Sequence, residues 1–390
     1  MKNIPFYPAD ILLPKQNFEK WSVVACDQFT SEPEYWKETE RLTKGCNSAF
    51  NIILPEAFLS NDNTERINCI NANMQKYLDN GVFEEYKNAM IFVERRLPKG
   101  KVRYGIIGAV DLEEYDFNIG SKSQIRATEG TVLSRIPPRV EIRKEAPIEL
   151  PHIMLLIDDI KRTVIEPLKN AKLETLYDFD LMQGGGHLKG SLIPKEMQED
   201  ILGSLSALSS EQGENPLLFA VGDGNHSLAT AKTCYTEDPD NLNRYALVEV
   251  VNIHDEALEF EPIYRVLFNA DTKDFISALE AEFKEGEKTI EWFTANDGGK
   301  VYTSGLTVAS LQDFIDRYLK ANPSVTCDYI HGTKSTLELA KKENAIGLIF
   351  DGMDKSELFP FVKDKGSLPR KTFSMGEAES KRYYTEARKI

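Results

Sequence analysis

Apolar residues along the chain fall into two patterns. Short uninterrupted runs such as Leu217 to Val221, Tyr245 to Ile253 and His152 to Asp158 predict buried strands. Stripes at helical spacing, such as Ile67, Ile70, Met74, Tyr77 and Leu78 or Met197, Ile201, Leu205 and Leu208, predict helices with one face in a core. The chain is organised around one such junction, Pro216 to Lys232, where a strand, two glycines around an Asp, an Asn-His-Ser triplet and an alanine-rich helix start follow one another. The helix is expected over Leu228 to Tyr235.

Upstream, Trp21 to Cys26 predicts a strand running into Asp27 and Gln28, followed by a helix that opens at Ser31 and Pro33 and closes at Gly45. Ala89 to Arg96 and Val102 to Val110 predict a hairpin across Leu97 to Gly100. Glu174 to Met182 and His187 to Ile193 predict a second, with His187 at its Gly-rich bend. Beyond Pro262 the order is helix (Thr272 to Phe283), two strands (Thr289 to Thr294, Val301 to Val308), helix (Leu311 to Lys320), strand (Thr326 to Ile330), helix and strand (Ala345 to Phe350). A closing helix is expected from Glu377. The alternation predicts an α+β or mixed α/β fold in three regions, 1–150, 151–265 and 266–390, a division that 390 residues accommodate.

Charge changes the picture more than composition does. A net charge of -15 disfavours nonspecific nucleic-acid binding and anionic membranes, since such partners call for a basic face. The start of the chain lacks an apolar signal region, and no stretch approaches a membrane span of about 18 residues. Cys26, Cys46, Cys69, Cys234 and Cys327 are odd in number and scattered, which points to reduced thiols in a cytoplasm.

Candidate chemistry sits at the central junction. Gly222 and Gly224 free the backbone, Asn225 or Ser227 can cap the helix, and the helix start offers N–H groups and a positive dipole end to a phosphate or carboxylate. His226 stands where it can touch such an anion. The alternative, a tight turn in which Asp223 and His226 only tie down loop backbone, stays open. Arg126, Arg135, Arg139 and Arg143 form a local basic stretch with Glu129 beside them, readable as a phosphate clamp with an acid or base, or as a solvated connector. Asp27 and Gln28 are site candidates at the end of the first strand. Metal binding by Asp223, His226 and His187 matches no zinc or calcium spacing, and phosphate-loop, protein-kinase, zinc-protease and serine-hydrolase signatures are absent.

Asp223-Gly224-Asn225-His226-Ser227-Leu228 resembles the Asp-Gly-His-His-Arg-Tyr hallmark of the bacterial and archaeal family known as domain of unknown function 1015. The likeness runs the whole length. Gly185-Gly186-His187-Leu188 resembles that family's Gly-x-x-His hairpin, and Glu129-Gly130-Thr131 with Arg139 and Arg143 resembles its Glu-x-Thr and Arg segment. Glu261-Pro262-Ile263-Tyr264-Arg265 and Leu368-Pro369-Arg370-Lys371-Thr372-Phe373 resemble its Pro-Thr-His-Arg and Pro-x-Lys-Ser-Thr. Ser227, Asn225 and Tyr264 replace an Arg and two His of the family pattern, so Arg265, Lys232 or Lys371 would supply the missing charge. The resemblance extends to the phosphate loop of the ParB and sulfiredoxin-like fold, shared with free-serine kinases.

It implies a nucleotide-dependent enzyme using ATP or another nucleotide with Mg²⁺, a phosphotransferase acting on an amino acid or similar hydroxyl compound. Phosphates would lie on Gly222, Gly224, Asn225, Ser227 and His226, with His187, Arg139, Arg143, Arg265 and Lys371 as further contacts. Asp223 would hold the metal, and Glu129 or Asp27 would be the base. A nucleotide-switched regulatory dimer without turnover and a non-catalytic scaffold are the competing readings.

Overall fold

A strand buried on both faces must present apolar side chains in both directions, and the sequence around Ile91 and Ile107 does so. Ile91, Val93 and Ile107 join one hydrophobic cluster while their neighbours Phe92 and Ile106 join a second, as the two-residue period of a strand requires. The computed structural model describes residues 4–60, 62–118, 120–130, 136–239 and 243–390, with the backbone alone at 137 and 138. They form a mixed α/β protein of two compact units. The larger comprises Met1–Leu258 and Glu377–Ile390, the smaller Glu259–Gly376. The sequence pattern suggested three regions, but strands from 1–150 and from 151–265 interleave in one sheet. Among the described residues no helix is long and apolar enough to cross a membrane.

Across the larger sheet the strands run Glu174–Asp180, His187–Leu192, Ile91–Arg96, Val102–Asp111, Tyr245–Asn252, Met154–Ile157, Phe219–Asp223, Ile125–Ala127 and Tyr115–Asp116, with Phe6–Tyr7 paired to Val102–Asp111. Met154–Ile157 is parallel to Tyr245–Asn252 and antiparallel to Phe219–Asp223, which is parallel to Ile125–Ala127. One cluster holds Trp21, Trp36, Ile70 and Met74; the other holds Phe6, Leu155, Phe219 and Leu228. The expected strand from Trp21 is shorter: Phe18–Trp21 is a turn of helix and only Val23–Val24 is strand. A short apolar run does not by itself distinguish helix from strand.

The segment after Glu377 also departs from expectation. Instead of a helix it has one turn at Ala378–Ser380 and then runs extended, pairing Tyr383–Tyr384 with Val23–Val24 and Arg388–Lys389 with Ile148–Glu149. Its charges go inside. Arg382 donates to Glu249 at 2.6 Å, Glu386 at 2.5 Å and the Pro151 carbonyl at 3.1 Å. Glu386 also accepts from the Tyr177 hydroxyl. Gly105 makes room for this cluster, because a Cβ there would stand 2.6 Å from Glu249 Oε1.

In the smaller unit the strands run Gly298–Thr303, Lys288–Phe293, Ile346–Phe350, Phe260–Phe268 and Thr326–His331, with Phe373–Met375 also on Phe260–Phe268. All these pairs are antiparallel. Helices Thr272–Glu282 and Thr307–Ala321 bring Phe275, Leu279, Phe314 and Ile315 into its core. The strand expected over Val301 to Val308 ends at Thr303, and Thr307 already begins a helix.

Candidate functional site

The expected strand, glycine turn and helix are present, with boundaries that reassign the loop residues. Gly222 and Asp223 complete the strand Phe219–Asp223, and Gly224 alone takes the left-handed conformation, at φ 79°. Here glycine is needed twice over, because an added Cβ would also lie 3.0 Å from the Ile153 Cα. The helix Asn225–Glu237 starts immediately after it, with no side-chain cap. Neither Asn225 nor Ser227 caps it. Asn225 instead accepts the Thr128 N–H at 3.2 Å and donates to the Val221 carbonyl at 3.4 Å, tying the helix start to the neighbouring strand. Residues Gly222 to Ser227 are half-buried.

Around this helix start three other segments converge. The Asp223 carboxylate accepts the Gly224 N–H at 2.8 Å and pairs with Lys381 at 3.1 Å. Ser227 Oγ lies 3.3 Å from His152 Nε2, and His152 Nδ1 lies 2.9 Å from the Tyr384 hydroxyl. That hydroxyl accepts the Cys26 N–H at 3.2 Å, which brings in Asp27 from the loop after Val23–Val24. Burial would raise the Asp27 pKa, but the charge of His152, the hydrogen bond from Gln28 and the charge of Lys381 outweigh it and hold the carboxyl below its ordinary 3.8. Desolvation pushes the Cys26 thiol up to about 12, so it is a neutral neighbour and not a thiolate.

Beside these groups lies a cavity of about 150 Å³, whose lining includes Cys26, His152, Ser227, Thr230 and Tyr384 together with Arg139, Arg143 and aliphatic residues. The basic stretch is thus partly a cavity wall. Arg139 and Arg143 stand on the helix Ile136–Lys144, whose first turn accommodates Pro137 and Pro138. Arg139 pairs with Glu56, and Arg143 with Glu149 at 2.6 Å. Arg126 donates to the Ser123 and Asn215 carbonyls. Glu129 lies two residues beyond the strand Ile125–Ala127, next to Thr128, whose hydroxyl donates to the Val221 carbonyl at 2.6 Å. Thr131 and Arg135 lie outside the described residues.

One other candidate of the larger unit stands apart from this group. His187 bridges Asp178 and Asp180, at 2.7 Å each, five strand positions away from Phe219–Asp223. At about 4.8 Å per strand that is roughly 24 Å. Arg265 belongs to the smaller unit, where it is fully buried and donates to Gln312 Oε1 at 2.8 Å and to the Ile263 carbonyl. A guanidinium enclosed in this way is committed to packing, which corrects the expectation that it clamps a phosphate. Lys371 is exposed on the same unit, in the left-handed region at φ 58°. Sequence reasoning missed His152, Lys381 and Tyr384. His152 was visible as one of five histidines, but nothing in the sequence links it to residues 75 and 232 positions away.

The sequence profile of a family described as "Protein of unknown function (DUF1015)" matches residues 6–373, and the chain belongs to that family. No curated protein sequence matches it. Among solved structures, a free serine kinase variant in complex with AMP is similar at 12% identity and a TM-score of 0.43, covering 74% of this chain and 93% of that one. A conserved hypothetical protein from Pyrococcus furiosus shares 12% identity at a TM-score of 0.38, covering 74% and 96%. SbnI with C-terminal truncation from Staphylococcus aureus shares 9% at 0.37, covering 72% and 81%.

Proposed function

We propose that this chain is a nucleotide-dependent phosphotransferase acting on an amino acid or similar small hydroxyl compound, with a ParB and sulfiredoxin-like phosphate loop at Gly222 to Ser227. The observation that carries the reading is the uncapped start of the helix Asn225–Glu237, set behind left-handed Gly224 and beside Lys381, His152 and Asp27. The positive end of the helix dipole and a nearby ammonium favour a phosphate there. In the proposed reaction the acceptor hydroxyl oxygen bonds to the terminal phosphorus of the nucleotide. The bond from that phosphorus to the bridging oxygen breaks, the shortened nucleotide leaves, and the hydroxyl proton passes to the Asp27 carboxylate. His226 and Lys381 would neutralise charge on the transferring group.

Mg²⁺ fits this arrangement only as an ion carried by the nucleotide. Among the described residues no three His, Cys, Asp or Glu are grouped to hold a metal, and Asp223 offers one carboxylate already shared with Lys381. Mg²⁺ commonly takes one or two carboxylates together with substrate phosphates, and its contribution would be to offset phosphate charge. The reading is tested by thermal shift with ATP, ADP, CTP and GTP in the presence of Mg²⁺, followed by ³¹P NMR of turnover with a panel of hydroxyl compounds. A new phosphomonoester that accumulates as nucleotide is consumed supports it. No melting shift with any nucleotide at millimolar concentration, and no phosphomonoester, would overturn it. Binding without turnover across the panel would favour the regulatory reading, which the serine in place of the hallmark arginine at Ser227 supports.

A further inference from the structure

The hydroxyls of the helix Asn225–Glu237 are used in two ways. Thr230, Thr233 and Thr236 each donate to the carbonyl four residues back, a common occupation of a hydroxyl on a helix. Ser227 does not. Its Oγ lies 3.3 Å from His152 Nε2, and the other ring nitrogen, Nδ1, lies 2.9 Å from the Tyr384 hydroxyl, whose oxygen also accepts the Cys26 N–H. With Nδ1–H donated to that oxygen, Nε2 is left as the acceptor for the Ser227 hydroxyl. His152 is buried, so its ring is held in place, whereas Ser227 is half-buried and borders the cavity of about 150 Å³, room for a benzene-sized group. Asp27 stands near enough to feel the charge of His152, and the same attraction stabilises an imidazolium there.

We propose that Ser227 is a nucleophile activated by His152, and that the chain cleaves esters of small acyl groups with it. Activation requires a hydroxyl, a base within reach and a third group that orients the base, and such a constellation is recognised by geometry and not by sequence position. Ser227 Oγ bonds to the ester carbonyl carbon while its proton passes to His152 Nε2. The bond from that carbon to the leaving alcohol oxygen then breaks, and the oxygen takes the proton from His152. Water repeats the sequence on the acyl-enzyme, which releases the carboxylic acid and restores the Ser227 hydroxyl. Negative charge on the carbonyl oxygen develops beside the positive end of the helix dipole, since Ser227 lies in the first turn. The acyl group occupies the cavity. Its wall holds aliphatic residues but also Arg143, whose Nε and Nη2 are buried without a hydrogen-bond partner, so the limit it sets on the acyl group is one of size. This chemistry requires no nucleotide and goes beyond the phosphotransferase reading.

The test is labelling of the full chain with diisopropyl fluorophosphate, located by peptide mass spectrometry, together with hydrolysis of p-nitrophenyl acetate, butyrate, hexanoate and decanoate. A single diisopropylphosphoryl group is expected on Ser227, with fluoride lost and the hydroxyl proton taken by His152. Ser227→Ala should abolish labelling and ester turnover, and His152→Gln should slow both by about 10²–10⁴-fold. Tyr384→Phe keeps the ring but removes the partner of Nδ1. It should lower kcat about tenfold, one hydrogen bond's worth, with KM unchanged, a split that a general loosening of the fold would not give. Between hexanoate and decanoate kcat/KM should fall as the chain outgrows the cavity. Melting temperatures show which variants fold, and the position of the label in the parent decides the matter without any variant. No label, a label elsewhere than Ser227, or equal ester hydrolysis by the parent and Ser227→Ala overturns the inference, and a rate still rising at decanoate overturns the placement of the acyl group. Nucleotide binding is read separately on the parent by thermal shift. A labelled Ser227 without nucleotide binding defeats phosphotransfer alone, whereas nucleotide turnover without a label defeats the ester chemistry alone.

Discussion

Replacing Arg382 by Met tests whether the buried C-terminal charges hold the larger unit together. Arg382 is 5% exposed and is the common partner of Glu249 and Glu386, at 2.6 and 2.5 Å. Without it Glu249 keeps Arg103, whose Nε stands 3.7 Å away, and the field of Arg95, and Glu386 keeps the Tyr177 hydroxyl. Breaking a buried pair by removing one partner costs about 3–5 kcal/mol, because the remaining charge is left without compensation. With a urea slope near the upper end of the usual range, about 3 kcal/mol/M, the midpoint should fall by about 1–2 M. Tryptophan fluorescence reads this best in a Trp292→Phe background, which leaves Trp21 and Trp36 reporting on the larger unit alone.

The pH dependence makes the prediction sharper. Burial would raise the Glu249 pKa, yet Arg103 and Arg382 together hold it below its ordinary 4.5. A depressed folded pKa stabilises above the unfolded value, and that contribution is lost as pH falls through the folded one. In the variant burial is less opposed, so the folded pKa moves up and protonation relieves the cost. The gap between parent and variant should therefore be full at pH 7 and narrow toward pH 4. A midpoint shift under about 0.3 M at pH 7, or a gap that stays constant down to pH 4, refutes the reasoning.

Three further substitutions address the site. His226→Ala should weaken nucleotide binding about ten- to a hundredfold, the worth of a charge-assisted hydrogen bond, while the melting temperature stays close to the parent's; a large loss of stability with unchanged affinity would instead make it a loop anchor. Gly224→Ala forces a Cβ into the left-handed region and against the Ile153 backbone, at a cost of at least about 1–2 kcal/mol, so differential scanning calorimetry should show melting several degrees lower. An Ala variant melting within a degree of the parent would contradict that geometry. Asp27→Asn should lower turnover by about 10²–10⁴-fold. Because Asp27 is held below 3.8, the acid limb of kcat/KM in the parent should fall below pH 4, and a limb near pH 6 would assign the base to another group.

What the sequence made legible was local. The strand at Phe219–Asp223, the glycine turn and the helix after it follow from neighbouring residues, since an apolar run, a Gly and an alanine-rich stretch each act within a few positions. The helix nevertheless begins at Asn225, three residues before the expected Leu228, because Gly224 completes the turn alone. Asp27 was legible as a polar residue after a strand, although the strand is two residues long. His152 was hidden because its partners are Ser227 and Tyr384, and pairing across 75 and 232 positions leaves no periodicity to read. Arg265 misled for the opposite reason: an arginine in a family segment suggests an anion, yet its donors are used by Gln312 and a backbone carbonyl inside a core.

The C-terminal segment shows why order along the chain is a poor guide to the site. In the smaller unit Phe260 pairs with Met375, and Gly376 N–H donates to the Glu259 carbonyl at 3.1 Å, so that unit starts and finishes at neighbouring points. A unit built this way can be inserted between Leu258 and Glu377 without stretching the chain on either side. Residues 377–390 then resume the larger unit, supplying Lys381 to Asp223 and Tyr384 to His152. Read as a string, Lys-Arg-Tyr-Tyr-Thr-Glu-Ala-Arg has the polarity of a surface helix. Its arginines and glutamate are instead the interior partners of Glu249, Glu149 and Tyr177. Burying charge is tolerable only where opposite charges are already waiting, and those lie on strands more than 130 residues upstream. The segment's polarity is therefore set by complementarity to the charges of the sheet it packs on, and the same pairing that hides it in the sequence fixes Lys381 and Tyr384 at the helix start.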